Sequence, residues 1–316
     1  MRVLLTGATG FLGRKIVPAL LTRGLEVRCL VHTPGKEEVL GDAPVDVCYG
    51  DVADVAALKA SMYHVDAVIH LAGVVREQHG RGFQEVNVLG ARNMAAVSRE
   101  RGVEHLVYVS VVGALNNPRY PYLYSKWLAE QEVVQSGLPY TIIRPSLLFG
   151  EGDEFTNALT ALLLISPLLP LPGLGRRRLQ PMAVEDAARC IADTVGDERL
   201  MERTVELGGQ ETLTCKEIVD LVCSARGLVR LKFPFPLAIL RRALWATEAL
   251  HLHLPVTGYQ LDLLAFDHVC EGDSVEKLFG FQPKRLADGI PHVRAMSHRD
   301  AWRLFLGIPS GHVGGH

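Results

Sequence analysis

Apolar residues in the first 145 positions fall into short runs, at 3–6, 27–31, 45–49, 67–70, 106–110 and 141–144, each rich in β-branched residues or leucine. The stretches between them are long enough for helices and carry apolar residues at helical spacing. Strands that are apolar almost throughout, instead of alternating, belong to a parallel sheet covered on both faces, its strands joined by right-handed crossovers. The expected class is α/β with a doubly wound parallel sheet.

Beyond about residue 150 the rhythm changes to longer, Leu-rich segments punctuated by proline. Helical patterns appear at 185–195, 215–226 and 236–250, and a strand-like run at 204–207 is expected to rejoin the sheet. The division this predicts is a first domain over 1–150 to which 180–208 returns, and a smaller, mainly helical lobe from 151–179 and 209–316 that carries substrate or partner. The ending GIPSGHVGGH has the composition of a frayed tail, so His312 and His316 are read as low complexity and not as metal ligands.

At 316 residues and 48% hydrophobic content the chain can bury a large core without staples. Its 33 basic and 35 acidic residues leave a formal charge of -2, spread evenly. That gives no footprint for nucleic acid or for an anionic membrane. The six cysteines, Cys29, Cys48, Cys190, Cys215, Cys223 and Cys270, form no C-x-x-C pair and are read as reduced thiols of a cytoplasmic protein. Met1 leads directly into a strand, without the n-region and h-region of a secretory signal. The uncharged stretch 155–175 raises the question of a membrane, but Pro167, Pro170 and Pro172 break it as a spanning helix, which leaves a peripheral contact open.

Chemistry enters with VLLTGATGFLGRKIVPALLTRG, where Gly7, Gly10 and Gly13 lie between the first strand and a helix with Ile16, Val17, Leu20 and Leu21 on one face. One glycine permits a tight turn, one lets the backbone approach a pyrophosphate, and one allows close helix packing; the helix N-terminus offers amides and positive dipole. The spacing is G-x-x-G-x-x-G, and a bare structural turn would show the same glycines. Its place after an N-terminal strand and before a helix points to a nucleotide.

TGATGFLG, YGDVAD, HLAG, VNVLGARN, Tyr122-x-x-x-Lys126 and RPSLLFG occur in the order and spacing of the short-chain dehydrogenase/reductase superfamily, and over 1–210 the chain resembles its extended or atypical branch. The resemblance implies a Rossmann domain in which the segment with Thr6, Gly7, Thr9, Gly10, Phe11, Leu12 and Gly13 cradles the pyrophosphate. It sets Asp51 and Val52 by the adenine, and Leu71, Ala72 and Gly73 along the ribose and nicotinamide side. Asn87 would bond a backbone carbonyl and help seat the lysine, and Pro145 with Ser146 would form the turn against the carboxamide. His70 is read as structural, and Arg144 as ion-pair partner or ligand group.

An acidic residue about 20 positions past the glycine loop would bond the ribose 2′-hydroxyl of NAD and repel the 2′-phosphate of NADP. Here LVHTPGKEE brings His32 and Lys36 before any carboxylate, which favours NADP(H) over NAD(H), although His32 reads equally as a solvated loop residue. In the superfamily a tyrosine phenol exchanges the substrate proton. With a free pKa of ~10 it needs help near neutral pH, and a lysine four residues on along a helix supplies a charge that favours the phenolate. Among Tyr120, Tyr122 and Tyr124 only Tyr122 has lysine, Lys126, at that spacing; an exposed helical Tyr and Lys is the plain alternative. Ser110 is the candidate third member, but the next position, commonly a second hydroxyl in active extended members, is Val111.

AGVVREQ, the long segment from YSKWLAEQ to EDAARCI, and LFGFQPKRLADGI extend the likeness over most of the chain. They resemble the group of the nucleotide-binding accessory subunit of respiratory complex I and its bacterial relatives, with NmrA-like proteins nearby. Two functions follow from the resemblance. One is an NAD(P)H-dependent oxidoreductase or epimerase-like enzyme acting on a small molecule, nucleotide-linked or apolar, with quinone or isoprenoid-lipid reduction as a variant. The other is an NADP(H)-binding accessory, assembly or regulatory protein with a protein partner and little turnover. Arg176, Arg177 and Arg178 read as a phosphate or lipid headgroup site or as a solvated basic loop. The run 237–250, with Arg241 and Arg242, reads as a lobe helix or a membrane-surface helix.

Overall fold

The computed structural model describes residues 1–77, 82–249, 258–262, 264–272 and 275–306; His312, His316 and the last residue of the 237–250 pattern lie outside them. Seven strands form one parallel sheet. β1 (Arg2–Thr6), β2 (Glu26–Val31), β3 (Asp46–Tyr49), β4 (Ala67–His70), β5 (His105–Val109) and β6 (Tyr140–Pro145) are joined by a seventh, Arg203–Leu207, in the order 3-2-1-4-5-6-7. All six pairings are parallel. The doubly wound sheet predicted from the apolar runs is present, and the order reverses between β1 and β4, which is where such sheets open a crevice at their carboxyl ends.

β5 is buried at every residue because helices cover both faces. On one side Leu4, Val68, Leu106, Tyr108 and Ile142 pack with Met94, Ala129 and Val133 from α3 (Gly90–Glu100) and α4 (Pro121–Val134). On the other, α1 (Gly13–Thr22) lies beside the helix Val184–Thr194. α2 (Val55–Ser61) is capped by Asp54, whose carboxylate accepts from the Ala56 and Ala57 amides. Ahead of α3, Gln84–Leu89 is wound as a π-helix, which turns three successive residues, Val86, Asn87 and Val88, inward.

The chain divides into two compact units: 1–145 with 184–207 and 271–281, and 146–183 with 208–270 and 282–316. The periodicity gave no sign that 271–281 belongs with the sheet. It is held there by the Glu206 carboxylate, which accepts from the Glu271 amide (2.8 Å), and by Arg189, whose guanidinium lies 4.0 Å from the Phe281 ring centre. The second unit is built on Glu154–Ile165, capped by Asp153, and Cys215–Arg226, whose Thr214 and Glu217 form a capping box. It is less purely helical than its sequence suggested. Among the described residues it also holds three two-stranded pairs, Leu148–Phe149 with Met182–Ala183, Arg178–Leu179 with Leu213–Thr214, and Leu168–Leu171 with Leu231–Pro234. Phe149, Leu163, Leu169, Leu179, Ile218 and Val222 form its core.

Candidate functional site

β1 and β4 pair with Thr6 opposite His70, so two side chains at the strand ends meet on one face. The Thr6 hydroxyl accepts from the Leu71 and Ala72 amides (3.2 and 3.1 Å) and bonds His70 Nδ1 (2.8 Å). With both lone pairs taken, its proton goes to Nδ1, which leaves the imidazole hydrogen on Nε2. Burial, and secondarily the Lys126 charge, lowers the His70 pKa to about 3, so the ring is neutral. Thr6 is fully buried. Its hydroxyl pins the loop after β4 to the end of β1 instead of reaching outward to a phosphate.

Above this latch the backbone forms a cleft of about 350 Å³, lined by Thr6, Gly7, Thr9, Gly10, Phe11 and Leu12 from the first turn, Leu30 of β2 and His32 just after it, Gly50, Asp51 and Val52 after β3, Leu71, Ala72, Gly73 and Val74 after β4, and Val86. Gly7 sits at φ +74°, and a Cβ there would come within 3.0 Å of the Ala72 amide nitrogen. A Cβ on Gly13 would fall 2.1 Å from the Gly7 carbonyl oxygen. Both positions therefore need glycine: one lines a cradle that a side chain would fill, the other brings α1 onto the turn. No side chain caps α1, and Gly10, Phe11 and Leu12, which lead into it, line the cleft, so the positive end of the helix dipole lies where it suits a pyrophosphate.

Gly13, Asn87, Lys126 and Pro145, expected at the cofactor, do not line this cleft. Gly13 acts behind it as a spacer. Pro145 ends β6, and its carbonyl accepts from the Val112 amide (2.9 Å). Asn87 is buried and clasps Val74, accepting from its amide (2.8 Å) and donating to its carbonyl (3.1 Å). The same Asn87 Nδ2 donates to Ser125 Oγ (2.9 Å), which donates to the Tyr122 carbonyl (2.7 Å). Asn87 thus couples the cleft wall to α4 through Ser125, not through the lysine. Ser125 was not singled out from the sequence, since nothing but its place beside Lys126 marks it. Leu30, Gly50, Val74 and Val86 were likewise missed; Gly50 lies in the quoted YGDVAD, and a Cβ there would meet Ala57 Cβ at 2.6 Å.

Along α4, Lys126 and Glu130 are buried one turn apart. Lys126 Nζ donates to the Val109 carbonyl (2.7 Å) and lies 4.5 Å from the Tyr108 ring centre. Burial lowers its pKa to about 8 against the opposing pull of Glu130, so it is cationic at neutral pH. Glu130 is held by Arg144 in a two-pronged pair (2.9 and 2.6 Å), and Arg144 also faces Glu206 at 3.7 Å, which makes it an ion-pair residue. The three tyrosines separate: Tyr124 stacks on Trp127 (6.1 Å, 9°), Tyr120 precedes the helix as its cap residue, and Tyr122 stands one turn before Lys126 with its ring 5.9 Å from Phe83. Ser110 follows β5, its hydroxyl buried without a hydrogen-bond partner. At the other end of the cleft His32 Nε2 pairs with Asp51 (3.0 Å). Glu37, the first carboxylate after β2, accepts from the Tyr49 hydroxyl (2.6 Å) and the Gly35 amide (2.8 Å).

A family described as NAD(P)H-binding matches residues 7–161. The chain is 32% identical over 246 residues to the mitochondrial NADH dehydrogenase (ubiquinone) 1 alpha subcomplex subunit 9 of Arabidopsis thaliana, covering 73% of this chain and 60% of that one. It is 35% identical over 186 residues to the ceramide reductase of Caulobacter vibrioides, covering 59% and 58%. It therefore spans about three fifths of the length of these relatives. The NADPH-dependent quinone oxidoreductase of Escherichia coli, solved with NADPH, superposes with a TM-score of 0.75 at 19% identity, over 92% of this chain and 99% of that one, and shares the fold. The chain is thus similar to NAD(P)H-binding proteins of the extended short-chain dehydrogenase/reductase type, the complex I subunit among them, and its first half carries the pyridine-nucleotide-binding match.

Proposed function

We propose that the protein is an NADP(H)-dependent oxidoreductase in which Tyr122 exchanges a proton with a carbonyl or hydroxyl oxygen of an apolar substrate. The observation that carries this reading is the seating of Lys126, a buried cation locked onto the end of β5 one helical turn from Tyr122. A charge held there favours the phenolate whenever the phenol gives up its proton. The glycine turn and the start of α1 would hold the pyrophosphate, Asp51 and Val52 the adenosine end, and Leu71 to Gly73 the nicotinamide side. The bound cofactor supplies or accepts a hydride at the substrate carbon. Preference for NADP(H) is supported by Glu37, whose carboxylate is spent on Tyr49 and Gly35.

A second reading, a cofactor-holding accessory protein without turnover, is favoured by Val111, a buried valine where a second hydroxyl would assist Ser110. It also fits the likeness to a complex I subunit. The experiment that separates the two follows NADPH oxidation with a panel of quinones and long-chain ketones, in parallel with cofactor binding. The enzyme reading expects turnover that Tyr122→Phe lowers by roughly a hundredfold or more, with cofactor affinity little changed. Turnover that survives the substitution removes Tyr122 from the mechanism, and binding without turnover on any acceptor leaves the accessory role.

A further inference from the structure

Strand Leu231–Pro234 pairs in parallel with Leu168–Leu171, Leu231 opposite Leu168 and Phe233 opposite Pro170. One face of this ribbon is tied down: Leu169 and Leu171 enter the core of their unit, and Lys232 pairs with Asp220 of the helix Cys215–Arg226. The other face carries Leu168, Pro170, Leu231 and Phe233. A face turned to water is ordinarily polar, yet Leu231 is 69% and Leu168 49% exposed. The turn that follows, Pro172–Gly175, lies against the same ribbon and holds Leu174 exposed at φ +59°, a backbone conformation that leucine rarely adopts. In the helix that follows the second strand, Leu237–Ala249, Ile239 is also 49% exposed.

The segments that carry this apolar face hold charge of one sign only, with carboxylates reaching them from neighbouring segments. Residues 155–184 and 221–247 contain no aspartate or glutamate, but three and five arginines and lysines, eight together. Several of these are committed elsewhere, Arg178 to Asp267, Lys232 to Asp220 and Arg241 to Asp262. Arg176, Arg177 and Arg242 are exposed beside the ribbon's turn and on the helix that continues it. An apolar face without hydrogen-bonding side chains, rimmed by cations, is complementary to a bilayer whose interior takes the leucines and phenylalanine and whose headgroups take the guanidiniums. Among the described residues no helix is long and apolar enough to cross a membrane, so the contact is with one surface.

We propose that this face docks the protein on an anionic lipid surface. The test is co-sedimentation of the full chain with vesicles of phosphatidylcholine alone and of phosphatidylcholine with phosphatidylglycerol, at low and high salt. The proposal expects partition to the anionic vesicles only, weakened by salt. Arg176→Glu with Arg177→Glu should lower it roughly tenfold or more, and Leu231→Ser with Phe233→Ser should lower it by a similar factor. These side chains are exposed, and unchanged melting temperatures check that the variants fold. Equal partition to both vesicle types, no partition to either, or partition indifferent to salt and to both double variants overturns it. So does a dimer in light scattering that the Leu231 and Phe233 variant dissolves, which would make a second copy the occupant. None of these outcomes depends on the cofactor cleft, so failure here leaves the proposed reaction standing.

Discussion

His70 shows how one buried residue ties site to stability. In the unfolded chain its pKa is near the ordinary 6.5, whereas burial sets it to about 3 in the native fold. As pH falls below 6.5 the unfolded chain takes up a proton that the folded chain refuses. The stability present above 6.5 is therefore lost progressively toward 3. His105, lowered to about 4 by burial, acts in the same direction. The expected result is a melting temperature that declines between pH 6.5 and 4, more steeply in the wild type than in His70→Gln, which retains the His105 part of the slope. Parallel slopes in the two proteins would mean that His70 is not held neutral by the Thr6 latch.

At the scale of the element, the start of α1 is the part of the site that tolerates least. Gly13 has the Gly7 carbonyl at 2.1 Å and the Ala8 Cα at 2.7 Å from where a Cβ would stand, all of it backbone that cannot swing away. Gly13→Ala should push the helix off the turn, destabilise the protein by about 1–3 kcal/mol in urea unfolding, and weaken cofactor binding. A substitution neutral in both would show that α1 does not need this approach. The glycine turn was legible because glycine is the only residue that serves there, and Tyr122 and Lys126 because a helical spacing is read straight from the chain. Ser125, Val74 and the π-wound Gln84–Leu89 were not legible. Their roles come from hydrogen bonds between segments 13 and 38 residues apart in sequence, which no local period records.

For the whole molecule, the sheet strands could be read nearly to the residue, since continuous apolar runs have few other uses in a soluble fold. The second unit resisted because most of its strands are only two residues long and its order rests on caps and on pairings between segments far apart in sequence. The segment 271–281 was missed because its ties to the sheet unit, among them the Glu206 carboxylate and the Arg189–Phe281 contact, join residues far apart in sequence. Sheet, turn and strand ends join into one cleft, which is proposed above to hold NADP(H). Calorimetric titration of the purified protein with NADPH and with NADH tests it most directly. Binding of both with NADPH the tighter is the expected result; NADH binding equally or more tightly contradicts the cofactor preference, and no binding of either contradicts the site.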